Sequence, residues 1–255
     1  MNIVLIGSGN VATQLGLALV KRGHRISQVF SRTHTNAEVL ANKLSSKAIS
    51  CKSELNLQAE LYIVSVKDDA LVEFIADLPE LKGIVCHTAG SVDVQVLNRF
   101  DQYGVFYPFQ TFTKEKQVDF KQVPILLEAD NDKVYKCLLK LAESLSDKVS
   151  KASSQQRGQL HVAAVFACNF VNHMYRLSED LLDDSGLSFE LLNPLIKETA
   201  DKVMSLSPRL TQTGPASRND QLIIQKHMRL LKGNEPFESI YKNLTESILA
   251  LSKSK

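Results

Sequence analysis

The sequence predicts an α/β fold: a Rossmann-like, doubly wound and mostly parallel sheet over residues 1–151, followed by a smaller all-helical domain over 152–255. Three observations carry this. Short apolar runs alternate with helix-period segments through the N-terminal part of the chain, the mark of βαβ units. A glycine-rich turn stands between the first run and the first helical segment. After Ser153 no run with strand character follows.

The strands are expected at Asn2–Ile6, Ile26–Phe30, Leu61–Val66, Ile84–His87, Val105–Tyr107 and Pro124–Glu128, with a last short one at Asp147–Lys151. Asn10–Arg22 is the first helix, carrying Val11, Leu15, Ala18 and Leu19 on one face. Thr35-Asn36-Ala37-Glu38 reads as a capping box opening the next. Asp68 and Asp69 suit the cap of a third, with Leu71, Val72, Phe74 and Ile75 apolar, and Asn131–Leu145 gives a fourth. Ser153-Ser154-Gln155-Gln156 is a second capping box, opening a long helix to about Asp184 that Gly186 stops. Another helix lies between Ser188 and Leu206, starting after Asn193 if Pro194 interrupts it. A Gly-Pro loop (211–219) precedes two last helices, Asp220–Lys232 and Pro236–Leu251.

Gly7-Ser8-Gly9-Asn10-Val11-Ala12 fits G-x-G-x-x-G/A between a strand and a helix. Gly7 permits the tight turn and Gly9 lets the backbone approach a pyrophosphate. Ala12 lets the helix sit close on the sheet, and the first-turn N–H groups face the anion. Gly7, Ser8, Gly9, Asn10 and Val11 are thus expected to bind a dinucleotide. An NAD site carries an acidic residue at the end of the second strand. Here that segment is Phe30-Ser31-Arg32-Thr33-His34, without a carboxylate. Arg32 suits a 2′-phosphate, with Ser31 and Thr33 as donors, so NADP is the expected cofactor. A merely solvated Arg32 is the plainer reading. Two further strand ends, Ser65-Val66-Lys67 and Thr88-Ala89-Gly90, should edge the same cleft, with Lys67 either a proton donor and substrate anchor or an ordinary surface lysine.

Composition excludes other classes. Lys plus Arg is 30 against 28 for Asp plus Glu, a net charge of +2, without the basic excess of a nucleic-acid partner. Cys51, Cys86, Cys137 and Cys168 are scattered, with no CxxC and no His at ligand spacing, so neither a disulfide framework nor a metal site is expected. No apolar run approaches the ~18 residues of a membrane span, and the start lacks a signal-peptide pattern. A cytoplasmic protein with reduced thiols, no membrane partner and a small-molecule substrate is expected.

These motifs carry a resemblance. GSGNVA, FSRT, VSVKDD, HTAGS and FYPFQTFT resemble the 6-phosphogluconate-dehydrogenase-like superfamily, which includes pyrroline-5-carboxylate reductase and prephenate dehydrogenase. The segments His161–Phe170 and Thr213–Asp220 are similar to a bacterial family of predicted NADP-dependent oxidoreductases with a C-terminal helical domain of unknown function. The resemblance implies NADP binding, dimerisation through the helices and a reductase activity. The lysine that the hydroxyacid dehydrogenases of the superfamily carry on the long helix is not evident, nor is the phosphogluconate-binding pattern. Prephenate dehydrogenases have His-Pro where this chain has Tyr107-Pro108.

In that architecture the substrate lies between the domains, and three segments are candidates for it. Tyr107-Pro108-Phe109-Gln110-Thr111 offers Tyr107, Pro108 and Gln110, or is core around a proline turn. At 100° per residue His161, Val165, Cys168 and Asn172 fall within one arc, with Asn169 at its edge and Arg176 nearby, while Phe166, Phe170, Met174 and Leu177 form an opposite core stripe. The polar arc reads as a lined cavity with His161, Asn169, Asn172 and Lys67 as catalytic candidates, or as a hydrogen-bonded dimer face. Thr213 and Arg218 suit an anionic substrate or solvent. An NADP(H)-dependent oxidoreductase acting on a small carbonyl or imine is the first expectation, and a non-catalytic NADP-binding sensor or partner-binding dimer the second. A homodimer through the small-residue face of Ala163, Ala164 and Ala167 is expected.

Overall fold

The chain starts with a strand, β1 (Asn2–Ile6), whose residues after Asn2 are apolar on both faces because both faces are covered: Ile3 and Leu5 enter one core cluster, Val4 and Ile6 the other. The computed structural model describes residues 1–252. The remaining strands are β2 (Arg25–Phe30), β3 (Lys47–Ile49), β4 (Leu61–Val64), β5 (Ile84–His87), β6 (Tyr103–Pro108), β7 (Ile125–Ala129) and β8 (Val149–Lys151). They form one eight-stranded sheet of order β3-β2-β1-β4-β5-β6-β7-β8. All pairings are parallel except β6 with β7. The doubly wound, mostly parallel sheet followed by helices is the fold the sequence predicts.

Between the strands run α1 (Asn10–Lys21), α2 (His34–Leu44), α3 (Asp68–Ala76) and α4 (Asp132–Leu145). Helix α2 departs from expectation. It starts at His34 with Thr33 as its N-cap and no side-chain cap, so Thr35–Glu38 lies inside the helix rather than at its start. Glu38 instead meets His34 at 3.3 Å, an i,i+4 contact. Asp68 and Asp69 occupy the first turn of α3 behind an N-cap at Lys67, and the Asp68 carboxylate accepts from Ser91 Oγ. They suit the positive end of the helix without capping it.

Helix α5 (Ser154–Ala164) does open on the predicted box, with Ser153 and Gln156 bonding each other's backbone. It passes through a π-helical turn, Val165–Phe170, into α6 (Val171–Asp183), and Gly186 follows at φ +69°. The remaining helices are α7 (Asn193–Ser205, Pro194 in its first turn), the short α8 (Pro208–Thr211), α9 (Gln221–Leu230, capped by Asp220) and α10 (Glu235–Ser252).

By internal contacts the chain forms two compact units, Met1–Cys168 and Asn169 onward. The sheet itself ends at Lys151, and α5 belongs with it. In the first unit apolar residues bury on both sheet faces. In the second, α6, α7, α9 and α10 bury no residue, and Ala216, 7% exposed, stands alone in the buried class among the described residues. The expected core stripe on the long helix is overturned here: Phe166 is 65% exposed and Phe170 is exposed too.

Candidate active site

The order of strands turns back between β1 and β4, so a crevice opens at their carboxyl ends. Gly7 stands there at φ +124°, where a Cβ would lie 2.0 Å from the Ser65 carbonyl oxygen. Conformation and close approach both demand glycine. Gly9 caps α1 without a side-chain bond, and no acidic residue occupies the first turn. Nothing lies within 4 Å of where a Gly9 Cβ would sit. The first-turn N–H groups thus lack a side-chain acceptor beside open space, which fits a pyrophosphate. Asn10 and Gln14 hold the loop after β6 over this helix: Asn10 Nδ2 donates to the Phe112 carbonyl at 2.8 Å, and Gln14 Nε2 to those of Thr113 (2.7 Å) and Lys116 (3.0 Å).

A cleft of about 450 Å³ is lined by Gly7, Ser8, Gly9, Ser31, Arg32, Thr33, Ser65, Val66 and Lys67, residues singled out from the sequence. Ser8 Oγ donates to Ser31 Oγ at 3.1 Å. Arg32 is exposed and makes no ion pair among the described residues. Ala70, Glu73, Phe74 and Asp77, with Asn36 and Lys52, also line the cleft and were missed. The first four are spaced i, i+3, i+4, i+7, so a helical face was readable, though not which surface it served. Lys52 is held below, 4.3 Å over the Phe74 ring and 3.5 Å from Asp77. A larger hollow, about 550 Å³, runs along α1 beside 117–120 and is lined by none of the predicted residues.

The loop after β5 forms a second focus. Thr88 Oγ1 donates to Ser65 Oγ at 3.1 Å and Ser91 to Asp68, tying the two strand-end loops together. Val11 is half-buried, Thr88 and Ala89 are buried. A Cβ on Gly90 would meet Tyr107 Oη at 2.7 Å and His161 Nδ1 at 3.1 Å. Those two atoms are themselves 3.1 Å apart and hydrogen-bonded, with both side chains part-exposed. Burial, then the Asp68 charge, pushes the Tyr107 phenol up to about 12 against the opposing Arg157. Beneath lies His87, fully buried, its Nδ1 accepting from Ala89 N–H at 3.2 Å. Burial and then Arg157 drive its pKa down to about 4, outweighing Asp93 and Asp68, so it is neutral.

The structure therefore joins Tyr107 to His161, a pairing across 54 residues that sequence spacing does not reveal. Lys67 stands instead at the nucleotide cleft, exposed. Pro108 is buried at the end of β6 against Ile125, and Gln110 turns its Oε1 to the N–H and hydroxyl of Thr111. The arc drawn at 100° per residue lapses at the π turn, whose wider winding breaks that periodicity between His161 and Asn172. Asn169, Asn172, Thr213 and Arg218 belong to the second unit and are exposed. There Asn172 borders a hollow of about 360 Å³ with Tyr175, Arg176, Glu179, Phe189 and Ile196.

Two family models match: "NADP oxidoreductase coenzyme F420-dependent" over residues 2–88 and a domain of unknown function, DUF2520, over residues 123–248. No curated protein matches the chain. Among solved structures, a "putative NADP oxidoreductase" from Bacteroides fragilis is 44% identical, with 98% of each chain covered and a TM-score of 0.91. A protein from Thermotoga maritima is 22% identical, covering 99% of this chain and 98% of its own, at a TM-score of 0.72. A reductive aminase from Aspergillus terreus, solved with NADPH and ethyl-5-oxohexanoate, is 14% identical over 98% and 97%, at 0.71. At such identity the last two share the fold.

Proposed function

Because the chain belongs to a family of NADP oxidoreductases that join a dinucleotide-binding sheet to a helical C-terminal unit, we propose that it transfers a hydride between NADP(H) and a small carbonyl or imine. Gly7, Ser8 and Gly9, with the first-turn N–H groups of Asn10 and Val11, would hold the pyrophosphate. Ser31, Arg32 and Thr33 would hold the 2′-phosphate, and Ser65, Val66, Lys67, Thr88, Ala89 and Gly90 the inner edge. NADPH, when bound, supplies the hydride. The chain supplies the proton that the reduced oxygen or nitrogen takes up. Tyr107 keeps its proton on Oη at neutral pH and presents it beside Gly90, and His161, hydrogen-bonded to that oxygen, replaces it from solvent. Lys67, on the nucleotide cleft, then flanks the cofactor rather than serving as the acid. The Tyr107–His161 bond wedged against Gly90 is the observation that carries this reading. Placement near pyrroline-5-carboxylate reductase in the 6-phosphogluconate-dehydrogenase-like superfamily is part of the proposal, supported by the sheet-then-helices order.

The second unit supports a homodimer: amphipathic helices with no fully buried residue and exposed leucines such as Leu191 and Leu195 need cover, and a second copy supplies an equivalent face. Four free cysteines fit a reducing, cytoplasmic setting. NADPH oxidation against a set of keto acids and cyclic imines tests the activity. Consumption with at least one member is expected, and the absence of both consumption and NADPH binding would overturn it.

A further inference from the structure

We propose that Arg157, through Glu128, is the positioning residue of the Tyr107–His161 pair; its kinetic consequence rests on the oxidoreductase reading, its geometric one does not. Arg157 is 0% exposed, and so long a charged side chain is buried only when paired and hydrogen-bonded. Its fork is spent in several directions. Nη1 pairs with Glu128 on β7 and reaches the Ala152 carbonyl at 3.4 Å. Nη2 donates to the Val92 carbonyl at 2.9 Å and to Ser154 Oγ at 3.2 Å. Ser154 closes the ring, donating to Glu128 Oε2 at 2.8 Å and accepting from Val94 N–H at 3.0 Å.

One buried guanidinium therefore clamps three pieces of chain: strand β7, the loop 88–94, and the N-terminal turn of α5. Two of these carry the groups that frame Tyr107. Gly90 lies two residues before Val92 on the clamped loop. His161 lies four residues after Arg157 on α5, one turn on and on the same face. A missing Cβ is all the clearance Gly90 leaves to Tyr107 and His161, so small movements of loop or helix alter the pair. A buried ion pair is weak evidence for stability; what this one fixes is the spacing between two segments far apart in sequence. Lysine cannot replace it, since an ammonium lacks the planar fork that serves Glu128 and Val92 together.

The test uses full-length protein with ¹⁵N-labelled histidine. There are six histidines, and the His161 ring signals are assigned by their loss in His161→Gln. Tyr107→Phe, which removes the hydrogen bond, defines the shift expected of a broken pair. Arg157→Lys is expected to move the His161 nitrogens in the same sense. So is the double variant Arg157→Met/Glu128→Met, which replaces the ion pair by apolar chains and guards against a misfolded single variant. NADPH affinity should change far less than turnover, because Gly7, Ser8, Gly9, Ser31, Arg32 and Thr33, which line the nucleotide cleft, lie outside the clamp, and only the edge at 88–90 feels it. On a substrate once found, Arg157→Lys should lower kcat by about tenfold to a hundredfold with a much smaller change in the KM for NADPH. His161 signals identical to the parent in both folded variants would overturn the proposal, as would Tyr107→Phe leaving them unmoved. A parent that binds no NADPH would overturn the oxidoreductase reading alone, since the nitrogen shifts report the clamp without cofactor.

Discussion

The two units bury their apolar residues in opposite ways. In the sheet unit every strand residue of β1, β4 and β5 beyond Asn2 is buried, and helices α1 to α4 each lay a face on the sheet. In the helical unit the same amphipathic patterning leaves large side chains outside, Leu191 at 61% and Leu195 at 62% among them. Patterning alone thus says that a face will be covered, not by what. The sheet unit contains its own cover, whereas the helices of the second unit hold no fully buried residue, and in the proposed dimer a second copy covers them.

The largest expected effect breaks that contrast directly. Leu191→Glu/Leu195→Glu places charge on the uncovered face, where burying each leucine is worth roughly 1.5–3 kcal/mol. Sedimentation should show a dimer for the parent and monomer for the variant, with a lower melting transition assigned to the helices while NADPH still binds. A parent that stays monomeric at micromolar concentration would end the dimer account.

A smaller effect separates packing from chemistry within the sheet unit. Gly90→Ala should displace the Tyr107 ring end rather than backbone, since the near atoms are Tyr107 Cζ (2.6 Å) and Oη (2.7 Å). Circular dichroism and melting should stay near the parent, while turnover falls by about a hundredfold. Gly7→Ala, facing the Ser65 carbonyl, should instead cost NADPH binding itself.

His87 makes the sheet unit sensitive to acid. Its pKa is about 4 when folded against 6.5 when free, so the unfolded chain binds the extra proton between those values. Stability is full above about pH 6.5 and is lost as pH falls toward 4, by about 3 kcal/mol at most. Melting of the sheet unit followed over this range should show the loss, and His87→Gln should flatten it. Smaller still is cofactor choice. Arg32→Ala should cost NADPH about 1.5–3 kcal/mol and NADH little, measured by calorimetric titration with both.

Much of the sheet unit was legible because its signals are local. The Gly7–Ala12 turn, the strand runs and the Ser153 box each declare themselves within a few residues. Strand β3 was missed: three residues, one exposed and one half-buried, carry too little pattern. The capping box at Thr35 misled because Thr33, two residues earlier, already serves as N-cap. The π turn at 165–170 has no residue signature, and it undid the arc that joined His161 to Asn172. The site was half legible. His161 stood out as a proton donor and Tyr107 only as a substrate contact, but their contact is made by β6 and α5, and Arg157 and Glu128 gave no sign at all, because an Arg and a Glu 29 residues apart read as surface charges until the fold pairs them.

In the proposed function the sheet unit both holds NADPH and supplies the proton through Tyr107. This is tested most directly by measuring turnover and NADPH affinity side by side in the parent and Tyr107→Phe, on any carbonyl or imine the parent reduces. Turnover lower by about 10²–10⁴ in the variant is expected, with NADPH affinity unchanged. Equal turnover in the two proteins would contradict it and remove Tyr107 from the chemistry.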